Sequence, residues 1–339
     1  MKILVTGGAG YIGSVFTEHL CDHGHNVLVV DNLSEGHQAA VDPRAQLEVV
    51  DLNETARLGD LMKAHGSEAV VHFAANALVG ESMKNPAKYY GNNVTGGLSL
   101  LNAMVTAGVP KIVFSSTCAT YGIPDSLPIT ESTIQRPVNP YGHSKLTFEG
   151  MLRWYGEIHG IEPVIFRYFN AAGASPRFGE HHRVETHLIP NILFAAQGRQ
   201  GEIKIFGDDY DTPDGTAIRD YIHVLDLASA HRIAVETSIT GQFNLGTGCG
   251  HSVKEVIEAC RSVTGREIIT ETCPRRAGDP PRLVASIDKA RSVLGWEPRF
   301  TDIAETIKTA WNWHEANPKG YADIIEQLTP DQPSSSKAA

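Results

Sequence analysis

Short apolar runs alternate with longer segments of helical periodicity along the first half of the 339-residue chain. Runs typical of buried parallel strands lie at 3–5, 27–30, 47–50, 69–73 and 111–114. Helices are predicted at about 14–23, 86–107 and 141–158. This alternation favours an α/β fold, with a doubly wound parallel sheet of the Rossmann type.

Glycines cluster directly after the first predicted strand. Gly7, Gly10 and Gly13 are spaced three apart, and residues 8–13 also fit G-x-G-x-x-G. A glycine turn between a strand and a helix lets backbone N–H groups approach a pyrophosphate. The second strand ends at Asp31, close to the expected distance for an acid that holds a ribose 2′-hydroxyl, and its charge would repel a 2′-phosphate. The pattern predicts a dinucleotide site that takes NAD rather than NADP.

Small and polar residues follow the later strands. Ala74 and Ala75 come after the fourth strand, where small side chains would let a flat cofactor lie close. Asp51, after the third strand, either reaches the adenine or caps the next helix. Ser115 and Thr117 come after the fifth strand. Because ligands gather outside the carboxyl ends of the strands in such a sheet, we expect Thr117 to face a substrate.

Tyr141 and Lys145 are four residues apart in the last predicted helix, which Pro140 suits as a first residue. At this spacing both side chains lie on one helical face, one turn from each other. A cation near a phenol favours the phenolate and lowers a pKa that is otherwise about 10. Tyr141 is therefore a candidate proton-transfer group, with Thr117 as its polar partner.

Composition excludes several classes of function. The formal net charge of −10 argues against a nucleic-acid surface, which needs clustered Lys and Arg. No apolar run approaches the ~20 residues of a membrane helix, and the N-terminal run is too short for a signal peptide. Five cysteines without a C-x-x-C favour a reducing compartment, so we expect a cytoplasmic protein. The pair His181-His182 has no metal-ligand spacing around it, so no metal site is expected.

These motifs together resemble the extended short-chain dehydrogenase/reductase family. The resemblance is carried by Thr6 to Gly13, Asp31-Asn32-Leu33, Ser115-Ser116-Thr117, Tyr141 to Lys145 and Arg167 to Asn170. The segments 205–224, 243–246 and 275–279 are similar to those of the UDP-galactose (UDP-glucose) 4-epimerases of this family. The resemblance covers nearly the whole chain, apart from the tail after about residue 323.

The resemblance implies a reversible inversion at C4 of a UDP-sugar, UDP-galactose to UDP-glucose, through a 4-keto intermediate. NAD would be tightly bound and regenerated in each turnover. Tyr141 would take the proton of the C4 hydroxyl, with Lys145 and the positive nicotinamide holding its pKa down. Thr117 would bond the C4 oxygen, and Lys145 would also bind the nicotinamide ribose.

The resemblance also assigns contacts by position. The implied cofactor contacts are Tyr11, Ile12, Asp31, Asn32, Asp51, Leu52, Phe73, Ala74, Asn92, Lys145 and Phe169. The motifs themselves add Gly7, Gly10, Gly13, Leu33, Ala75 and Ser115 to the predicted cofactor site. The implied nucleotide-sugar contacts are Asn170, His187, Leu188, Phe206, Arg219, Arg276 and Asp279. A bond to backbone remains the alternative for Asn92, whereas the two arginines suit a diphosphate.

The chain departs from the family pattern in ways that leave the sugar open. Ala77 stands where a lysine often touches the cofactor phosphates, so retention of NAD on purification is undecided. Leu283 occupies a position that narrows or opens the sugar pocket, which leaves UDP-N-acetylhexosamines open. The stretch 115–122 also resembles UDP-arabinose/UDP-xylose 4-epimerases. Cys118 and Ala119 follow Thr117 where dehydratases carry an Asp-Glu pair, and the intact catalytic set argues against a non-catalytic NAD-binding regulatory module.

The expected organisation has two lobes. We expect an NAD-binding domain at 1–170, with later segments near 219–248 returning to it, and a smaller α/β nucleotide-sugar-binding lobe at 171–328. The composition of 329–339 predicts a flexible tail. Helices at about 86–107 and 141–158 carry excess apolar surface, and by resemblance we expect a homodimer through them.

Overall fold

The computed structural model describes residues 1–276 and 278–321, so the predicted tail and the end of the predicted substrate lobe lie outside the described residues. The strands in these residues are β1 (Lys2–Thr6), β2 (Asn26–Asp31), β3 (Gln46–Val49), β4 (Ala69–His72), β5 (Lys111–Thr117), β6 (Glu162–Tyr168), β7 (Asn170–Ala172), β8 (Ile203–Phe206), β9 (Ile218–Arg219), β10 (Tyr221–His223), β11 (Gly241–Leu245), β12 (His251–Ser252), β13 (Thr270–Cys273) and β14 (Arg282–Leu283). The α-helices are α1 (Tyr11–Asp22), α2 (Thr55–His65), α3 (Val79–Ser82), α4 (Pro86–Tyr89), α5 (Gly97–Ala107), α6 (Pro140–His159), α7 (Leu188–Ala196), α8 (Val224–Glu236), α9 (Val253–Thr264) and α10 (Ile303–Ala316). Short 3₁₀ turns lie at Gln38–Ala40 and Cys118–Thr120, and π-helical turns at Tyr90–Gly96 and Ala290–Leu294.

Seven parallel strands form the central sheet in the order β11-β6-β5-β4-β1-β2-β3. The chain runs outward from β1 to β3 on one side and then from β4 to β6 on the other. The predicted Rossmann-type α/β fold is thereby confirmed. The direction of winding reverses between β1 and β4, and in such sheets ligands bind at the carboxyl ends of the strands beside this reversal.

Both faces of the sheet are covered by helices, which explains why its strands are continuously apolar. Side chains alternate along a strand, so Ile3 and Val5 of β1 enter one core while Leu4 enters the other. Residues of α1 and α8 complete the first core, and residues of α2, α5 and α6 complete the second. Throughout the described part of the chain, no helix combines the length and apolarity needed to cross a lipid bilayer.

A smaller α/β unit follows the sheet. The parallel pair β8 and β13 lies with α7, α9 and α10 around a third core that includes Ile192, Ile257 and Trp311. A short three-stranded sheet, β12-β9-β14, begins with the strand β12, which follows the loop that leaves β11.

The helix predicted at 86–107 is interrupted. It begins as α4, where Asn85 accepts the Lys88 backbone N–H, continues as the π-helical turn Tyr90–Gly96, and ends as α5. Within the π-helical turn, buried Asn93 accepts a hydrogen bond from the Asn76 backbone N–H and donates to the Ser144 hydroxyl. π-Helical turns are frequent at functional sites, and this one fastens α6 to the loop that follows β4.

Candidate active site

The glycine turn after β1 packs closely against the chain that follows β4. Gly7 has a positive φ of 72°, and a Cβ on it would lie 2.5 Å from the Ala74 backbone nitrogen. A Cβ on Gly13 would lie 2.1 Å from the Gly7 carbonyl oxygen. Gly10 is the N-cap residue of α1 and has no side chain with which to cap it. The helix therefore presents uncapped N–H groups to a space from which side chains are excluded, as an anion-binding turn requires.

Asp31 is fixed at the end of β2 by backbone donors. Its carboxylate accepts the Ala9 N–H at 3.1 Å and the Leu33 N–H at 2.8 Å. Burial raises the pKa of Asp31, and these backbone hydrogen bonds lower it in part. Leu33 has a positive φ of 58°, which turns the chain sharply away after the strand.

An open pocket of about 570 Å³ lies over this turn. Nine of the predicted cofactor residues line it, namely Gly7, Gly10, Asp31, Asn32, Leu52, Phe73, Ala74, Ala75 and Asn92. Six further residues line the pocket that the sequence motifs do not indicate, namely Val30, Ser34, Glu35, Gly36, Val50 and Asn76. The close approach of Gly36, on which a Cβ would lie 2.9 Å from the Cβ of Ala9, is a tertiary contact that no local motif announces.

Other predicted cofactor residues border this pocket or support it. Asp51 accepts the side-chain N–H of Asn32 at 2.8 Å and the Asn53 N–H at 2.9 Å, while the N-cap position of α2 belongs to Glu54. The Tyr11 hydroxyl donates to the Gly173 carbonyl at 2.6 Å, and Ile12 packs against the first core.

Helix α6 carries Tyr141 and Lys145 to the end of β5. Its first turn is set by Pro140 and by Asn139, whose side chain accepts the Gly142 N–H at 2.8 Å. A Cβ on Gly142 would lie 2.5 Å from the Ala119 carbonyl oxygen, so the helix touches the turn that follows Thr117. This contact brings the Tyr141 and Thr117 side chains close together.

The protein's own groups do not make Tyr141 acidic. Burial raises the pKa of Tyr141 to about 12, and the nearby Thr117 hydroxyl lowers it in part. The lowered pKa that the Tyr–Lys spacing predicts is therefore wrong for the protein groups alone, because the cost of burying a phenolate outweighs the attraction of nearby donors. Ionisation of Tyr141 near neutral pH requires additional positive charge.

Lys145 is buried and fixed by β5. Its ammonium group donates to the Ser115 carbonyl at 2.7 Å and lies 4.9 Å from the centre of the Phe114 ring. Burial lowers the pKa of Lys145 to about 7, and the negative charge of Glu149 raises it in part. A lysine held in this way has access to both protonation states near neutral pH.

We expect Lys145→Met to raise the free energy of unfolding, and to raise it more at about pH 7 than at about pH 9.5. Between its lowered folded pKa of about 7 and the ordinary value of 10.5, wild-type Lys145 holds fewer protons in the folded protein than in the unfolded chain. The free-energy cost of burying Lys145 therefore grows as pH falls through this window, by about 1.4 kcal/mol for each pH unit. Urea denaturation of both proteins at the two pH values measures it, and a gain that does not shrink at high pH would contradict it.

A buried polar network supports α6, which carries Tyr141 and Lys145. The Arg167 guanidinium donates to both carboxylate oxygens of Glu149 at 3.0 and 2.6 Å, and the Ser116 hydroxyl donates to Glu149 at 2.5 Å. Arg167 also donates to the Tyr121 hydroxyl at 3.0 Å. The bidentate pair joins α6 to β6, and the Ser116 hydrogen bond joins α6 to β5. Together they fix the height of Tyr141 and Lys145 over the sheet.

Cys118 has no role as a nucleophile in this arrangement. Its thiol is buried, and burial raises its pKa to about 12, so it stays protonated. Phe169 and Cys118 share a small apolar cluster against which Leu283 packs. The predicted sugar-pocket residue Leu283 therefore lies beside the carboxyl end of β5. Ser115, within β5, forms a side-chain hydrogen bond with the Tyr168 hydroxyl.

The predicted nucleotide-sugar residues lie outside the seven-stranded sheet. Arg219 pairs with Asp279, and it lies opposite Leu283 in the β9–β14 register, close to the apolar cluster that contains Cys118. Arg276 lies 4.0 Å from the centre of the Phe206 ring. Asn170 begins β7, and His187 is the N-cap residue of α7, directly before Leu188.

Comparison with known proteins identifies the family. Residues 3–246 match the model of the "NAD dependent epimerase/dehydratase family". The UDP-glucose 4-epimerase of Halalkalibacterium halodurans is 51% identical over 328 residues, which cover 95% of this chain and 98% of that protein. A crystal structure of a UDP-glucose 4-epimerase, 51% identical, covers 95% of this chain and 100% of its own with a TM-score of 0.93. The crystal structure of UDP-glucose 4-epimerase from Brucella ovis in complex with NAD, 47% identical, covers 92% of this chain and 97% of its own with a TM-score of 0.89. The resemblance inferred from the motifs is thereby confirmed, and the chain belongs to the NAD dependent epimerase/dehydratase family, in the branch that contains the UDP-glucose 4-epimerases.

Proposed function

We propose that this protein interconverts UDP-galactose and UDP-glucose by inverting C4 of the sugar. The observation that carries the proposal is the meeting of Thr117, Tyr141 and Lys145 at the carboxyl end of β5. A hydroxyl, a phenol and an amine at this end of the sheet can bind and deprotonate one sugar hydroxyl. Cys118 and Ala119 follow Thr117, so no acid stands there to eliminate water from the sugar.

The pocket beside the glycine turn fits NAD. Gly7, Gly10 and Gly13 leave room for a pyrophosphate at the uncapped start of α1. The Asp31 carboxylate lies at the end of β2, where it would accept hydrogen bonds from the adenosine ribose and repel a 2′-phosphate. Ala74 and Ala75, after β4, offer a flat surface to the rest of the cofactor.

The chain's own residues supply the proton transfer. Bound NAD supplies a hydride acceptor and donor for C4, and its positive nicotinamide ring lowers the pKa of a nearby phenol. Tyr141 would take the proton of the C4 hydroxyl on oxidation of C4 to a 4-keto sugar. Thr117 would hold the C4 oxygen, and Lys145 would hold the nicotinamide ribose hydroxyls while its charge favours the phenolate. After the sugar turns about its link to the diphosphate, Tyr141 would return the proton as C4 is reduced on its other face.

Arg219 and Arg276 would hold the UDP diphosphate. Arg219 lies near the Thr117 turn, so a diphosphate bound to it would leave the sugar beside Tyr141. Its partner Asp279 would keep the guanidinium oriented for bidentate hydrogen bonds. Asn170, Leu188 and Phe206 complete this proposed site.

Proton NMR of the purified protein with UDP-galactose, without added cofactor, tests the proposed activity. We expect the anomeric signal of UDP-glucose to appear, because the tightly held NAD is regenerated in each turnover. UDP-N-acetylglucosamine and a UDP-pentose, tested in parallel, measure how Leu283 sets the width of the sugar pocket. Absence of conversion of UDP-galactose, even after NAD is added, would reject the proposal.

We also propose that the enzyme is a homodimer that uses the outer faces of α5 and α6. Leu98 and Val105 on α5 and Trp154 and Ile158 on α6 are all exposed by 38% or more, and the two helices touch through the Tyr155 hydroxyl. Light scattering at micromolar concentration should give twice the chain mass.

A matched pair of variants tests this face. Trp154→Glu should shift the protein toward the monomer, because it buries a charge in the apolar contact. Ile269→Glu changes a similarly exposed apolar residue directly before β13 and should leave the molecular mass in solution unchanged. A monomeric wild-type protein would contradict the proposal.

We propose, finally, that the protein works in the cytoplasm. All five cysteines are unpaired thiols, as a reducing compartment requires. Fractionation of cells that express the chain should recover it in the cytoplasmic fraction, and recovery outside the cell would contradict this assignment.

A further inference from the structure

Four side chains converge just before α7, and only His187 among them is an implied nucleotide-sugar contact. Glu180, His182, Glu185 and His187 each bring one ligand atom into a group whose members all lie within 4.8 Å of one another. We call these residues the Glu–His cluster. Their spacing matches no common metal motif, so no metal site was expected from the sequence. The loop folds back on itself, and only the folded chain brings the four side chains together.

The distances within the Glu–His cluster resemble those between ligands of one ion. Glu180 Oε1 lies 3.0 Å from His182 Nε2 and 3.0 Å from His187 Nδ1, and Glu185 Oε1 lies 2.9 Å from His187 Nδ1. Tetrahedral zinc with bonds of about 2.0–2.1 Å holds its ligand atoms about 3.3 Å apart. These three pairs would need to open by a few tenths of an ångström, and the wider pairs, which extend to 4.8 Å, would need to close.

Burial gives a second, independent indication. The side chains of Glu180 and Glu185 are only 7% and 8% exposed. Glu185 Oε2 is buried and has no hydrogen-bond partner among the described residues. The charge of two carboxylates in this position is balanced only by a protonated imidazole or by a bound cation. A metal ion would also satisfy the unpaired carboxylate oxygen of Glu185.

We propose that the Glu–His cluster binds one divalent transition-metal ion, of which Zn²⁺ fits the ligands best. Two imidazole nitrogens and two carboxylate oxygens are a ligand set that zinc accepts, whereas Mg²⁺ and Ca²⁺ prefer oxygen alone. The site closes around the ion with four protein ligands, as structural zinc sites do. The proposal does not depend on the proposed epimerase activity, which requires no metal.

The position of the Glu–His cluster indicates what the ion would do. The His182 ring meets the Tyr11 ring edge-on, with centres 6.3 Å apart, and Tyr11 begins the helix that faces the cofactor pocket. His187 is the N-cap residue of α7 in the smaller unit. The ion would therefore tie the two units together at the start of α7 and stabilise the folded chain by its binding free energy.

Zinc binding by untagged protein, treated with a chelator and then dialysed, tests the site directly. Elemental analysis after incubation with Zn²⁺ should give one ion per chain, and competition with a chromophoric chelator should give the affinity. Co²⁺ in place of Zn²⁺ should give the intense visible absorption of a tetrahedral site. Saturating Zn²⁺ should raise the melting temperature.

Variants within one dipeptide separate a ligand from its neighbour. His182→Gln should weaken Zn²⁺ binding by more than about tenfold, the smallest loss typical even of outer groups at metal sites. His181→Gln is the matched control and should bind as the wild type does, because the His181 ring stacks on His37 and its Nδ1 accepts the Tyr321 N–H. Glu185→Gln serves as a second test if His182→Gln does not fold by circular dichroism. Substoichiometric zinc in the wild type, or equal affinity in wild type and both ligand variants, would overturn the proposal.

Discussion

Replacing Tyr141 with phenylalanine is expected to reduce kcat for epimerisation by about 10³-fold, within the range that general acid–base catalysis contributes. The substitution removes one hydroxyl from a buried ring and leaves the ring's packing in place. Thr117 stays in position through its own bond to the Ala119 N–H at 3.1 Å, so it still binds the C4 oxygen but cannot accept the proton as readily. Proton NMR of the UDP-galactose conversion, with the enzyme-bound NAD quantified by absorbance, measures the loss at constant cofactor content.

Tyr155→Phe is the matched control for this experiment. Tyr155 lies on the same helix, and its hydroxyl donates to Asn102 at 2.6 Å on the outer side of the protein, away from Thr117. Its loss should change kcat by less than about twofold, since one exposed hydrogen bond contributes only about 1 kcal/mol to stability. If Tyr141→Phe kept more than a tenth of the wild-type rate, Tyr141 would not be the proton-transfer group.

Replacing Gly13 with alanine is expected to destabilise the protein by several kcal/mol and to weaken NAD binding by at least about tenfold. The new methyl group would lie 2.1 Å from the Gly7 carbonyl oxygen and 2.8 Å from the Gly8 Cα, and both are backbone atoms that cannot rotate away. Relief of the overlap would push α1 from β1, and overpacking of this kind typically costs about 1–3 kcal/mol before the cofactor turn itself is distorted. Urea denaturation and the NAD content of the purified variant measure the two effects.

Gly150→Ala shows what the same methyl group does where there is space. Gly150 lies inside α6, and no atom comes within 4 Å of a Cβ placed on it. Alanine in a helix interior should stabilise the protein by about 0.5–1 kcal/mol and leave the NAD content unchanged. If Gly13→Ala behaved like Gly150→Ala, the close packing of the glycine turn would have no part in holding the cofactor.

Elements governed by local rules were predicted from the sequence within a few residues. The predicted strand at 47–50 is found at Gln46–Val49, and the helix expected from about residue 14 begins at Tyr11. Short, continuous apolar runs are typical of strands buried on both faces. Asn139 and Pro140 set the start of α6 through contacts within one helical turn. These signals depend on neighbours in the sequence, so the sequence displays them.

Electrostatics of the site could not be predicted in this way. The Tyr141–Lys145 spacing was found on one helix as expected, but burial of the Tyr141 hydroxyl raises its pKa, and spacing does not report burial. The support of α6 by Arg167 and Glu149 joins residues 18 positions apart on two different elements. Asn93, inside a π-helical turn, bonds Ser144 at a separation of 51 residues.

The sequence by itself determined the Rossmann-type sheet, the glycine turn at its first strand and the identity of the candidate proton-transfer residues, because each depends on periodicity or on a motif a few residues long. Only the tertiary structure decided which loops complete the cofactor pocket, how strongly burial resists ionisation of Tyr141, and that Glu180, His182, Glu185 and His187 share one small volume. Those properties come from atoms brought together across long separations, and the free energy of desolvating a charge depends on that surrounding volume rather than on the order of residues along the chain.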